Sequence, residues 1–269
     1  MLPKIIYGTA WKKDATAGLV RAAAAAGFRA FDTANQKKHY REDFSGDALN
    51  GLMGDGLRRE ELFLQSKYTD AAGQDHRLPY DPRADYATQV RVSFENTLAH
   101  FRTEYLDSFL VHGPLSAAGL TDEDWEIWGA MEALKEEKRA RSIGVSNVGL
   151  PHIRGLWERA KLKPAVVQNR CYASRGWDRE VREYCLANGI VYQGFSLLTA
   201  NPQVVADVHV GAIARRRNVT PEQVVFAFAR RIGILPLTGT TDERHMKEDL
   251  ASVELELSAA DVETISALV

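Results

Sequence analysis

Eight times along this chain a short β-branched or apolar run gives way to a longer amphipathic stretch. The runs are KIIYGTA, FRAFDTA, LFLQSKYT, SFLVHG, RSIGVSN, AVVQNR, IVYQGFS and GILPLTG. Each has the length and residue types of a buried strand. Between them, apolar residues recur at helical spacing over Asp14 to Ala26, Tyr86 to Phe101, Asp122 to Glu137, Leu150 to Ala160, Asp178 to Ala187 and Pro221 to Arg230. Capping residues open several of these: Thr121 before Asp122 and Asp124, Thr220 before Pro221, and Thr241 before Asp242 and Glu243. Strands separated by helices need crossover connections, which favours parallel pairing, and eight such units close a barrel. The expected class is therefore α/β, a (β/α)8 TIM barrel forming a single domain over residues 1–269. An open doubly wound sheet is the alternative, but no GxGxxG follows the first strand as a dinucleotide site of that kind requires. No linker or low-complexity tract divides the chain.

Charge narrows the partners. With 34 Lys and Arg against 36 Asp and Glu in 269 residues, the net charge of -2 lacks the basic footprint of a nucleic-acid binder or of a protein drawn to anionic membranes. The longest small apolar run, Ala22 to Ala26, stops at Gly27, far short of a membrane span. The opening MLPKIIYGTAWKK lacks the apolar stretch of a secretory signal, and Cys171 and Cys185 are spaced neither as a CxxC pair nor as metal ligands. A cytoplasmic protein with two free buried thiols is the expectation.

In a barrel of this kind, chemistry belongs to the C-terminal ends of the strands and the loops after them. Polar residues that end an apolar strand are costly to bury without a partner, so they are the candidates. Asp32 closes FRAFD, Lys67 closes LFLQSK, His112 closes SFLVH, Ser146 and Asn147 close SIGVSN, and Gln168 and Asn169 close VVQN. Singly, each reads as a structural residue satisfied by loop backbone. Together, Asp32, Lys67 and His112 end three successive strands about 4.8 Å apart, so their tips can meet over the mouth. An Asp keeps a neighbouring Lys charged, and that ammonium can lower the pKa of a nearby acid. Tyr40, in the loop after Asp32, is positioned to be that acid; the same tyrosine could equally anchor the loop against a helix.

Other barrel chemistries find no support. None of the seven histidines has HxH or HExxH spacing, so no metal site is expected. A glycosidase needs two carboxylates at strand ends, where Asp32 is the one clear case. A GxSxG elbow is absent.

Taken in order, GTAW (Gly8 to Trp11), FDTANQKKHYRE (Phe31 to Glu42), QSK (Gln65 to Lys67), FLVHGP (Phe109 to Pro114), IGVSN (Ile143 to Asn147), VVQN (Val166 to Asn169), GFSLL (Gly194 to Leu198) and LPLTGTT (Leu235 to Thr241) resemble the aldo-keto reductase family along nearly the whole chain. That resemblance implies a barrel that reduces carbonyls with a nicotinamide cofactor, and places the family's Asp, Tyr, Lys and His tetrad on Asp32, Tyr40, Lys67 and His112. Tyr40 would be the proton donor, made more acidic by Lys67, and His112 would orient the carbonyl. In many members the tyrosine follows the aspartate by five residues in a DTAxxYGNE pattern. Here that position is Lys37 and the tyrosine comes at eight, which leaves His39 as a further residue for the pocket.

The resemblance also implies that Ser146, Asn147 and Gln168 face the nicotinamide carboxamide, that Phe195 stacks on the ring in place of a tyrosine, and that Ser196 and Leu198 line the pyrophosphate. At the adenosine end the family's Ser, Lys, Arg and Asn fall on Thr240, Gly239, His245 and Asp249. Two permanent cations are thereby lost, leaving Arg244, Lys247 and the helix N-terminus near Thr241 to meet a 2′-phosphate. NADPH, with NADH possible, is the cofactor implied. Trp11, His39 and Gly113 would line the substrate site, which no long C-terminal loop covers, so a shallow pocket is expected. The partner implied is a small-molecule carbonyl, with the chain a monomer or weak homo-oligomer. The rival reading is a catalytically weak, cofactor-binding barrel that serves as a redox sensor or partner subunit.

Overall fold

A computed structural model describes residues 3–268. Eight parallel strands close on themselves in chain order: β1 (Ile6–Gly8), β2 (Ala30–Asp32), β3 (Phe63–Tyr68), β4 (Ser108–Val111), β5 (Ile143–Ser146), β6 (Val166–Arg170), β7 (Val191–Phe195) and β8 (Leu235–Thr238). All eight expected runs are strands, and the open-sheet alternative is excluded, because β1 pairs with β8 through Ile6↔Leu237 and Tyr7↔Thr238.

Around the barrel lie α1 (Thr16–Ala26), α2 (Glu42–Gly54), α3 (Tyr86–Phe101), α4 (Asp122–Glu136), α5 (Leu150–Arg159), α6 (Arg179–Ala187), the short α7 (Pro202–Val205), α8 (Val208–Arg217), α9 (Pro221–Arg231), α10 (Glu243–Ala251) and α11 (Ala259–Ser266). Thr121 and Thr220 cap α4 and α9 as expected, accepting from the amides of Asp124 and Gln223. One cap differs. The residue that caps α10 is Asp242, not Thr241, and its carboxylate accepts from the Arg244 and His245 amides. None of the described helices is long and apolar enough to cross a membrane.

Two apolar layers hold the fold. Trp128, Phe94, Phe109, Trp177 and Phe228 are fully buried among the residues that pack helices on strands. A smaller cluster of Ile6, Ala30 and Leu237, with Phe63, Leu235 and Phe195 against it, lies within the barrel, since Ala30 shares a strand face with Asp32 and Phe63 with Lys67. Above this plug the same inward rows turn polar: Asp32, Gln65, Lys67, Gln168 and Gln193. Parallel strands sealed on both faces normally read as apolar runs, so a polar column in such an interior marks the end that does chemistry.

Close packing of the strands has one sharp requirement. At Gly144, in β5, an added Cβ would run into the Val166 carbonyl of the neighbouring strand and lie 2.9 Å from Leu110 Cδ2. Backbone, not a flexible side chain, blocks the space. Gly144→Ala is expected to destabilise the fold by about 2–3 kcal/mol, as overpacking of a tight core does. Urea unfolding checks this, and an unchanged midpoint would show that the strands separate more easily than their packing implies.

Candidate active site

The interior column is organised by one charge pair. Lys67 Nζ donates to both carboxylate oxygens of Asp32, each at 2.7 Å, and to the Thr33 carbonyl at 2.9 Å. Both side chains are almost sealed from water. An ion pair so placed survives only if its remaining hydrogen-bonding capacity is met. Two amides meet it: Gln65 Nε2 donates to Asp32 Oδ1 at 2.7 Å and Gln168 Nε2 to the same oxygen at 3.0 Å. Burial pulls Lys67 below its ordinary pKa while Asp32 opposes that shift.

Tyr40 reaches this pair from a loop folded back on itself. The three extra residues form a turn in which the amides of His39 and Tyr40 both donate to the Gln36 carbonyl. Gln36 Nε2 in turn donates to the Gly73 carbonyl, and Asn35 Nδ2 to the Ser93 carbonyl. Beyond the tyrosine, the buried Glu42 opens α2 and is held by Ser66, Thr97 and His100, which pins the far end of the loop. The result puts Lys67 Nζ 5.6 Å from the centre of the Tyr40 ring, with the His112 ring edge-on to Tyr40 at 5.9 Å between centroids. Asp32, Tyr40, Lys67 and His112 are thus brought together.

Their protonation differs from the sequence expectation in one respect. Tyr40 is not made more acidic: burial pushes its phenol upward, and the Asp32 charge adds to the rise. Lys67 is committed to Asp32 and Thr33, so its field does not dominate at the phenol. Tyr40 therefore stands fully protonated as a donor. His112 is pushed down to about 3, first by burial and then by the Lys67 and His39 charges, so its imidazole is neutral. Its Nδ1 lies 2.6 Å from Thr69 Oγ1, and with that nitrogen accepting the threonine hydroxyl, Nε2 carries the proton.

Around the tetrad, Trp11 is exposed and stacks on His39 at 3.9 Å between ring centroids, while His39 Nδ1 is 2.9 Å from Gln36 Oε1. Gly113 follows His112, and a Cβ there would meet Asn147 Cβ at 3.9 Å, an ordinary contact that leaves room for a small side chain. Ser146 and Asn147 are partly engaged inside the protein: Ser146 Oγ donates to the Gln168 carbonyl at 2.7 Å, and Asn147 Nδ2 to the His112 carbonyl at 2.8 Å. Gln168, expected at the carboxamide, has its amide nitrogen bound to Asp32 and Gln193, and its Oε1 has no partner among the described residues. Phe195 is half-buried at the end of β7, with the Arg170 guanidinium 5.6 Å from its ring centre. Ser196 follows with φ of 57°, and Leu198 is half-buried in the same loop. An acceptor without a partner beside a half-exposed aromatic face fits a flat ring that bears an amide, as a nicotinamide does.

The adenosine end departs further. Thr240 and Arg244 lie at the start of α10, but Asp249 is buried and accepts from the Thr238 hydroxyl at 2.5 Å, its carboxyl pushed up to about 6 by burial. It does not join them at the surface. Nor are the α10 amides free for a phosphate, since Asp242 takes them. Arg244 is exposed, 3.0 Å from His245 Nε2 and 3.8 Å from Glu248. Sequence reasoning missed Lys12, which follows Trp11 in GTAWK. It is buried beneath this end, its Nζ donating to the Gly239 carbonyl at 2.5 Å, and burial pulls it down to about 8. It also missed Gln65 and Gln193, whose one signal was a polar residue inside each of two apolar strands. No cluster of three or more metal-ligating side chains is found among the described residues.

The His112 shift has a consequence for stability. Its ordinary value is 6.5 and its folded value about 3, so between those limits the unfolded chain takes up a proton that the folded chain refuses. Stability is full above pH 6.5 and falls as pH drops toward 3. His112→Asn is expected to show a shallower loss than wild type in urea unfolding between pH 6.5 and 4; parallel slopes would mean that the imidazole is not held neutral.

The sequence model of the Aldo/keto reductase family matches residues 4–201. Glyoxal reductase of Bacillus subtilis (strain 168) is 30% identical over 249 residues, spanning 93% of this chain and 82% of that protein. NADPH-dependent codeinone reductase 1-2 of Papaver somniferum is 32% identical over 262 residues, spanning 89% of this chain and 76% of that one. A crystal structure of an aldo/keto reductase from Brucella melitensis shares the fold with a TM-score of 0.84 at 24% identity, covering 100% of this chain and 94% of that one. With its closed barrel and converging Asp32, Tyr40, Lys67 and His112, the chain belongs to the Aldo/keto reductase family.

Proposed function

We propose that this protein reduces an aldehyde or ketone to an alcohol with a nicotinamide cofactor, with Tyr40 as the proton donor. The observation that carries this reading is the convergence of a protonated phenol and a neutral imidazole on a sealed Asp32–Lys67 pair. When bound, the cofactor supplies hydride to the carbonyl carbon. Tyr40 gives its proton to the carbonyl oxygen, and the raised phenol is no obstacle, because the alkoxide that develops there is a far stronger base than a phenolate. The Lys67 ammonium, 5.6 Å from the ring centre, attracts the phenolate left behind and offsets part of the opposing effect of burial and the Asp32 charge. His112 Nε2–H donates to the same oxygen and polarises the carbonyl before transfer. Gln168, Asn147 and Ser146 would hold the carboxamide end, Phe195 the ring face, and Ser196 and Leu198 the pyrophosphate.

The substrate end is formed by the tilted Trp11–His39 ring pair and by Gly113, which puts no side chain beside His112, a combination that suits bulky aromatic carbonyls. The relatives named above are a glyoxal reductase and an NADPH-dependent codeinone reductase. A reducing compartment such as the cytoplasm suits the two buried free thiols.

Tyr40→Phe keeps the ring and removes the proton. Loss of carbonyl-dependent NADPH oxidation by about 10² or more is expected. Near-normal turnover in Tyr40→Phe, with loss in His39→Ala, would reassign the donor. For the cofactor, NADPH is favoured over NADH but with weak discrimination, since Arg244 is an exposed cation in the first turn of α10, Lys247 is exposed a turn further on, and the Asp242 carboxylate opposes a phosphate at the helix start. Arg244→Ala should narrow the NADPH preference and Asp242→Asn should widen it, as measured by dissociation constants for both cofactors. A wild type that prefers NADH, or a preference that neither substitution moves, would refute this account.

A further inference from the structure

Below Asp32 the barrel holds three glutamines on three strands, all buried. Gln193 Oε1 accepts from Gln65 Nε2 and from Gln168 Nε2, both at 2.8 Å, while Gln193 Nε2 donates back to Gln65 Oε1 at 3.0 Å. Gln65 and Gln168 also donate to Asp32 Oδ1. Every amide orientation in this set follows from one charge. A carboxylate only accepts, so both glutamines beside it must turn their NH2 groups inward. Gln193 presents its oxygen to both of those NH2 groups and its own NH2 to Gln65 Oε1, one of the two amide oxygens that remain. As a result the Oε1 of Gln168 is left facing away from Asp32 and Gln193, without a partner.

We infer that Gln193, oriented by Gln65, is a positioning residue that locks the Gln168 side chain with its oxygen presented to the NH2 of the nicotinamide carboxamide. This rests on the reading that Gln168 meets the carboxamide. Without Gln193, Asp32 alone would hold the Gln168 amide, through one hydrogen bond instead of two. A glutamine held by one bond can rotate about it or flip, and a flipped amide would present a donor to a donor. Two amides buried inside strands β3 and β7, each bonding to the other, are otherwise an expensive way to fill a barrel that β1, β2 and β8 fill with Ile6, Ala30 and Leu237.

The test compares two ligands that share the adenosine end. NADP+ carries the carboxamide, and adenosine 2′,5′-bisphosphate does not. Calorimetric titration of wild type is expected to show tighter binding of NADP+. Gln193→Met, similar in length and unable to hydrogen-bond in this way, should weaken NADP+ about fivefold or more and leave the bisphosphate within about twofold. Gln65→Met, which removes the partner that orients Gln193, should shift the same ratio in the same direction by about threefold, and it carries the test if Gln193→Met does not fold. Equal weakening of both ligands would show a merely structural role and overturn the inference, as would an unchanged ratio in the variants. A wild type that binds NADP+ no more tightly than the bisphosphate would remove the Gln168 reading itself, a failure visible before any variant is made.

Discussion

A carboxylate and an ammonium 2.7 Å apart, shut inside a closed parallel barrel, set the terms for everything near them. Neither charge can be buried alone, and each must have its remaining hydrogen-bonding capacity filled by neighbours that are themselves satisfied. Asp32 therefore draws Gln65 and Gln168 inward, and Lys67 draws the Thr33 carbonyl. The demand passes on to Gln193 and stops at the apolar plug of Ile6, Ala30 and Leu237. The polar end of the barrel is in this sense one connected object, and its lower boundary is where the last amide finds a partner.

The same pair shapes the groups above it. Lys67 is held so firmly by Asp32 that Tyr40 is governed mainly by burial, and His112, close to that ammonium and walled off from water, stays neutral. A site with one neutral acid, one neutral donor and one locked cation avoids competing protonation states. The loop bearing Tyr40 tolerates its added length because both ends are tied: Asn35 to the Ser93 carbonyl of α3, and Glu42 to Ser66, Thr97 and His100. Three residues added between fixed ends coil into a turn on the Gln36 carbonyl and do not displace the phenol from the pair.

The barrel and the places of Asp32, Lys67 and His112 were legible in the sequence because they rest on coarse signals, apolar runs of strand length and a polar residue near the end of each, whereas Tyr40, inside a loop, was assigned only through the family resemblance. Other parts depended on direction, which composition does not carry. Gln65 and Gln193 look like ordinary interruptions of LFLQSK and VYQGF until their strands are set side by side in the barrel. The α2 pattern, EDFSGDALNGLMG, has three glycines that blur its period, and Gly46 is there because its Cβ would strike the His100 backbone. Thr241 and Asp242 are both good caps, and only the backbone turn at Asp242 decides between them. Asp249 is a charged residue that suggests the surface, yet three places after the buried Met246 it shares the inward face of α10 and accepts from Thr238.

The seam where the barrel closes lies under the adenosine end of the site. Tyr7 Oη donates to the Thr240 carbonyl at 2.8 Å across a separation of 233 residues, and Lys12 Nζ to the Gly239 carbonyl. During synthesis β1 emerges first and must wait for β8, so this end of the site is assembled by contacts between the two ends of the chain, the kind whose loop entropy makes them slow to form. A dinucleotide held as proposed, spanning both ends, would bind only the finished ring and by mass action would hold that ring shut.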